Sequence, residues 1–359
     1  MTVYIAGGCF EHGRNSFLVS QGGTSILLDC GYKEIHEHKA KEYPLLTVEQ
    51  IQALSLVVLS HSHADHTGGV SWLEERGYTG SFLLTRATEA YCQVKPRRSL
   101  YLEDMGMPLQ WLMVHDHVRL MWGYSGHCDG SVWVLLEMGG QRLLYSGDYI
   151  EDSALFPCHP LRDMRADLAI IDCAYGHEAY ERKPAADDIL RETALALEKQ
   201  KRLVFPVPAN GRGGELLLLL ALGFPHVSLF VDAALMRCVE NYRHIFPQLK
   251  LADDWRDAQI SFFSDPHMRK IGTQEASLEA DVVLSGSPVE GSPAQEWLQS
   301  GRARILMYPV HQGLVHVMAL AGKNSFSHIL PFHSRNGRLV PKLMPASFLV
   351  KSTGSFIDF

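Results

Sequence analysis

His61-Ser62-His63-Ala64-Asp65-His66 follows the apolar run Leu56-Val57-Val58-Leu59. Four metal-capable side chains fall within six residues at the mouth of an expected strand. Neutral imidazole suits zinc and a carboxylate adds a charged oxygen ligand. A lone histidine is usually structural, and the chain has 18 of them. Four donors in this order read instead as half of a two-metal site, built as strand, ligand loop and departing helix over Thr67 to Arg76.

Upstream, Val3 to Ala6, Asn15 to Val19 and Thr24 to Asp29 read as strands punctuated by glycines. Asp29 closes the third run near the metal loop. It reads either as a carboxylate that orients a ligand through hydrogen bonds or as a strand-ending turn residue.

Downstream, Lys95, Arg97 and Arg98 form a basic patch whose simplest reading is solvated surface. The segment GHCDGSVWVLLEMGGQRLLYSGDY, Gly126 to Tyr149, contains two β-rich runs joined by Gly139-Gly140, a hairpin signal. The hairpin puts His127 before its first strand and Asp148 after its second. One more nitrogen and one bridging oxygen thereby reach the same sheet end. His115 and His117 lack such a setting and read as structural.

The run DLAIIDCAYG, Asp167 to Gly176, brings Asp172 to another strand end. From about His177 the character changes. Expected strands at Leu203 to Val207 and Val227 to Val231 alternate with expected helices at Gly214 to Leu222 and Ala233 to Tyr242, the pattern of a parallel α/β insertion. Within it, Ser285, Gly286 and Ser287 precede an expected helix, Ala294 to Gln299, whose start can bind phosphate. Arg212, in a glycine-arginine turn, is the other candidate substrate contact. The closing part is β-rich again and carries two strand-terminal histidines, His311 and His333, 22 residues apart.

With 359 residues, the chain is long enough for two domains, or for one large domain with an insertion. Hydrophobic residues make up 46% and charged ones 20%, the balance of a soluble globular protein. No apolar run approaches a membrane span, and the N-terminus carries no secretory signal, so no membrane partner is expected. Seven cysteines without a C-x-x-C pair read as free thiols of a reducing compartment, here the cytoplasm. The net charge of −7 argues against coating nucleic acid by bulk electrostatics, but a small positive cleft remains compatible with it.

Taken together, HSHADH, GHCDGS and SGDY resemble the metallo-β-lactamase fold superfamily. DLAIIDCAYG, LVFPVPANGRGGELLLLL, His311 and His333 narrow the resemblance to the β-CASP nucleases, the group of ribonuclease J and the endonuclease of messenger-RNA 3′-end formation. The opening GGCFEHGRNSFLVSQGGTSILLDCG, Gly7 to Gly31, resembles the start of ribonuclease J.

The resemblance implies an α/β fold, a four-layer αββα sandwich formed by residues 1–179 and 305–359. A smaller α/β β-CASP cap would be inserted at 180–304, shorter than the family's usual cap and with no extra domain after the closing segment. It implies that His61, His63 and His127 bind one Zn²⁺, that Asp148 is shared, and that Asp65, His66 and His333 complete the second site, with Mn²⁺ as the alternative metal. Asp65, Asp172 and His311 would be catalytic, the last two as a hydrogen-bonded pair that protonates the leaving oxygen.

A water held between two such ions ionises near neutral pH and can attack a phosphodiester. The expected function is a metal-dependent ribonuclease acting on single-stranded RNA, with a protein partner or homo-oligomer supplying affinity. In this family a histidine at the position of His333 goes with RNA-cleaving members. The alternatives are a lactone or thioester hydrolase on the same metal core, a DNA nuclease, and a non-catalytic scaffold of a processing complex.

Overall fold

The computed structural model describes residues 1–35, 40–153, 155–177, 186–199, 202–224, 227, 229–242, 282–285, 299, 303–306, 308, 310–334, 339 and 344–359. The chain divides into two compact units. One comprises Met1–Glu151, Cys158–Glu181 and His311–Phe359, and the other Asp152–Pro157 and Arg182–Val310.

The first unit holds two sheets. The seven-stranded sheet runs, in spatial order, Phe356–Asp358, Thr2–Gly7, Ser16–Gln21, Thr24–Leu28, Leu56–Val58, Phe82–Leu84 and Ser99–Tyr101. The six-stranded sheet runs Ser325–Phe332, Arg165–Asp172, Gln141–Tyr145, Val132–Met138, Val118–Tyr124 and Leu112–His115. Each sheet is antiparallel on one side and parallel on the other. Parallel pairing begins at Thr24–Leu28 in the first and joins Gln141–Tyr145, Arg165–Asp172 and Ser325–Phe332 in the second.

Alternation along the strands separates three cores. Val3, Ile5, Phe17, Ile26 and Val58 meet Trp122, Val134, Leu168, Ile170 and Leu330 between the sheets. Leu27, Val57 and Leu59 turn outward onto Val70, Trp72 and Leu73, and Leu144, Ala169 and Ile171 turn outward onto Leu314, Val317 and Leu320. Helix, sheet, sheet, helix is therefore the layer order, and burial on both faces explains the continuous apolar runs at Ile26–Leu28 and Leu56–Leu59.

The expected single helix over Thr67 to Arg76 is broken into Ala64–Thr67 and Val70–Glu75. Close approach explains the break: a Cβ on Gly69 would lie 2.5 Å from Cys30 Sγ, and one on Gly31 would lie 1.7 Å from Asp65 O. The ligand loop thus lies directly against the end of the third strand. Cys30 N–H donates to His66 O, and Asn15 N–H to Asp65 O, each at 2.8 Å. Three strands escaped the sequence reading: Leu112–His115, Val118–Tyr124 and Phe356–Asp358. The run from Lys33 to Glu42, read as a solvated face, pairs Lys33–Ile35 with Ala40–Glu42, and His36 and His38 lie outside the described residues.

The second unit contains a four-stranded, all-parallel sheet, in order Leu229–Val231, Val282–Ser285, Arg202–Pro206 and Ala303–Ile305. The helices Ala186–Glu198, Arg212–Gly223 and Ala233–Tyr242 alternate with these strands, the α/β arrangement that the sequence pattern leads one to expect. None of the described helices is long and apolar enough to cross a membrane.

Candidate metal centre

Every parallel strand of the first unit that carries a chemical group presents it at its C-terminal end, where ligands of α/β sheets gather. Asp29 follows Leu28, Ser60 and His61 follow Val58, Asp148 follows Tyr145, Asp172 ends its strand, and His333 follows Phe332.

Asp29 sits at φ +58°, fully buried. It accepts hydrogen bonds from Ser60 N–H (2.6 Å), Ser60 Oγ–H (2.6 Å), Tyr145 O–H (2.5 Å) and His66 Nδ1–H (2.6 Å). Ser60 has one hydroxyl proton, and Asp29 receives it. Its oxygen must therefore accept from His61 Nδ1, 3.0 Å away. Both His61 and His66 are thus fixed with a bare Nε2 facing inward, the tautomer a metal ligand needs.

His61 Nε2 lies 3.0 Å from His63 Nδ1 and 3.6 Å from Asp148 Oδ2, while His127 Nε2 lies 3.2 Å from His63 Nδ1 and 3.3 Å from Asp148 Oδ2. A tetrahedral ion with bonds of about 2.0–2.1 Å requires donor–donor edges of about 3.3 Å. These four donors match such a polyhedron. On the other side of Asp148, Oδ1 lies 3.2 Å from His66 Nε2 and 3.2 Å from His333 Nδ1. His333 Nε2 faces Asp65 Oδ2 at 3.0 Å, and Asp65 Oδ2 is 3.8 Å from His66 Nε2. His333 therefore offers Asp65 and Asp148 different nitrogens. It also falls into one potential metal-holding group with Asp148, Asp172 and His311.

Asp172 and His311 approach to 3.4 Å, and His311 Nδ1 is equally close to Asp148. The expected hydrogen bond between them is not formed, because His311 Nδ1 lacks a partner in hydrogen-bond geometry. The Asp172 carboxylate is instead held by Ala174 N–H at 3.1 Å and Tyr149 N–H at 3.4 Å.

Burial pushes the His61 and His127 imidazoles well below the usual histidine pKa, with the neighbouring rings adding to it and Asp148 opposing. Burial also disfavours charge on His66 and His333, but carboxylates outweigh it. Asp148, Asp65 and Asp29 raise His66 well above its ordinary value, and Asp148 and Asp65 raise His333 to about 10. Against the same burial, the surrounding imidazoles hold Asp65 and Asp148 well below the carboxylate range.

Asp148 Oδ1, His311 Nδ1 and both nitrogens of His333 are buried without a hydrogen bond. Converging, unbonded nitrogen and oxygen donors fit divalent cations.

Two residues missed by the sequence reading join this assembly. Asn15 Nδ2 lies 2.9 Å from His66 Nε2 and 3.3 Å from Asp65 Oδ2, an electropositive group set between two acceptors. A polar residue heading an apolar strand was its signal. His12 stacks on His333, with centroids 4.7 Å apart and planes 4° from parallel. Among the expected substrate contacts, Ser285 ends a strand of the second unit, while Gly286 and Ser287 lie outside the described residues. Arg212 is buried in that unit, bonded to Glu215 (2.8 Å) and the Tyr308 hydroxyl (3.0 Å), an internal ion pair rather than an exposed cation.

A family profile described as "Metallo-beta-lactamase superfamily" matches residues 10–90. The chain is 26% identical to Integrator complex subunit 11 of Danio rerio, over 60% of this chain and 41% of that protein. It is 25% identical to Endoribonuclease ysh1 of Emericella nidulans, over 86% of this chain and 40% of the relative. The chain thus spans about two fifths of the length of these curated relatives. A solved structure, a protein of unknown function from Enterococcus faecalis V583, shares the fold with a TM-score of 0.64 at 12% identity, covering 99% of both chains. The layered sheets, the matched segment and these relatives agree with the motifs: the chain has the metallo-β-lactamase fold and resembles the β-CASP nucleases.

Proposed function

We propose that the protein is a two-metal-ion ribonuclease of the β-CASP type, using Zn²⁺, or Mn²⁺ in its place, and cleaving single-stranded RNA in the cytoplasm. The observation that carries this reading is Asp148, whose Oδ2 faces His61 and His127 while its Oδ1 faces His66 and His333. One carboxylate addressing two nitrogen sets is what a shared ligand requires. His61, His63, His127 and Asp148 would hold the first ion; Asp148, Asp65, His66 and His333 would hold the second.

When bound, such a pair supplies an ionised water near neutral pH and positive charge against the phosphodiester. Two divalent ions against Asp65 and Asp148 leave about two positive charges, enough to draw a phosphate to a chain of net charge −7. His311 is partly exposed and backed by Asp172 at 3.4 Å, and it is placed to give a proton to the leaving oxygen. Asp29 keeps His61 and His66 in their binding tautomers. The relatives named as an endoribonuclease and as an Integrator subunit support RNA as substrate and a protein assembly as the working context.

The test is cleavage of end-labelled single-stranded RNA and the matching DNA by wild type, Asp65→Ala and His333→Ala. RNA cleavage lost in both variants is the expected result. Cleavage that persists in both, or a preparation holding less than one transition metal per chain, overturns the reading.

A further inference from the structure

The two histidines hydrogen-bonded around Asp29 have their ring planes set by those bonds, His61 through Ser60 and His66 directly. His333 does not: neither of its ring nitrogens makes a hydrogen bond, although a carboxylate lies within 3.2 Å of each. A ligand with both nitrogens unfixed needs another constraint on rotation about Cβ–Cγ. Flat rings on its two faces supply one. Phe332 lies 9° from parallel at 5.9 Å, and His12 lies 4° from parallel at 4.7 Å.

We propose that His12 is the positioning residue of His333, clamping its ring plane by stacking where the other ligands are oriented by hydrogen bonds. The proposal rests on the two-ion reading of the site.

The loop that carries His12 is built for rigidity. Glu11 accepts from Arg14 Nε at 2.8 Å and Nη2 at 2.9 Å, from Thr353 Oγ1 at 2.8 Å and from Lys33 at 3.3 Å. Phe10 (φ +57°) and Arg14 (φ +43°) are held in the left-handed region, a conformation that persists only where the surroundings enforce it. Gly8 O accepts from His333 N–H at 2.7 Å, which ties the same loop to the backbone of the residue it stacks on. His333 itself sits at φ +70°.

Direct ligation by His12 is the competing role, since His12, Asp65 and His333 each offer a donor atom within 4.8 Å of the others. Ring geometry decides against it. The lone pairs of imidazole lie in the ring plane, so two parallel stacked rings point theirs side by side. They converge on one ion only if the stack opens.

The experiment equilibrates the full chain and its His12→Ala, His12→Phe and His12→Asn variants with increasing concentrations of a zinc chelator, then measures ions per chain by elemental analysis. Wild type should hold two ions. His12→Ala and His12→Asn should release one of them at roughly 10-fold lower chelator or less, the scale expected for a lost orienting contact. His12→Phe, which stacks but cannot ligate, should restore retention. If His12→Asn retains the ion and His12→Phe does not, the nitrogen acts as a ligand and the proposal fails. It fails equally if His12→Ala holds both ions as tightly as wild type. A wild type with fewer than two ions overturns the two-ion reading itself, and this inference with it.

Discussion

The two sides of the candidate centre are made differently. The side around His61, His63 and His66 comes from one loop of six residues, pinned by backbone bonds to Asn15 and Cys30 and oriented by a buried carboxylate. The side around Asp172, His311 and His333 is gathered from strand ends far apart in the chain, and its donors meet without hydrogen bonds. The contrast teaches that one side carries its own scaffolding, whereas the other depends on the register of parallel strands and on ring stacking.

Four substitutions probe that contrast, from the largest effect to the smallest. Asp148→Ala removes the group common to both sides, and we expect loss of both ions by elemental analysis and no detectable RNA cleavage. A variant that keeps two ions would show that the sides do not share a ligand. Asp172→Asn touches only the distant side. It should slow cleavage by about 10²–10⁴-fold, the range for general acid catalysis, while metal content stays at wild-type level. Parallel losses of metal and rate would place Asp172 among the ligands instead.

Asp29→Asn strikes the pre-oriented side. An amide cannot accept all four of its donors, so metal affinity should fall about 10–100-fold, read by chelator competition. Arg162→Ala is the mildest change. The Arg162 guanidinium, with the Tyr149 hydroxyl, holds the Glu151 carboxyl below its usual pKa despite partial burial, and Tyr149 N–H in turn contacts Asp172. A depressed acid contributes stability above its unfolded pKa, near 4.3, and loses it as pH falls through the folded value. The variant should therefore lose about 0.2–1 kcal/mol at neutral pH, the scale for a partly exposed pair. That difference should shrink below about pH 4 in urea titrations followed by circular dichroism. An equal loss at all pH values would mean the contribution is packing.

The same contrast explains what was legible in the sequence. His61 to His66 announced metal chemistry because its donors are adjacent, and the hairpin from Val132 to Tyr145 delivered His127 and Asp148 by turn logic. His311 and His333 carried no spacing signal, and only resemblance gave them roles. Their proximity is created by strand pairing such as Arg165 with Ser325, which no local pattern encodes. His12 was illegible for a further reason: it is an exposed histidine in a glycine-rich loop, and stacking leaves no periodicity. The Val118–Tyr124 strand was missed although Val118, Leu120 and Trp122 alternate inward, because the nearby charged turn at Asp116 interrupts the run.

The strands Arg165–Asp172 and Ser325–Phe332 are immediate neighbours in the sheet, yet the whole second unit is spelled out between them. In equilibrium terms such an excursion costs little, since closure entropy grows only with the logarithm of loop length. In kinetic terms it imposes an order. As the chain emerges from the ribosome, His61, His63, His127 and Asp148 are available more than 160 residues before His311 and His333 exist. A nascent chain can therefore capture its first ion early, while the second half of the centre waits for the final strand.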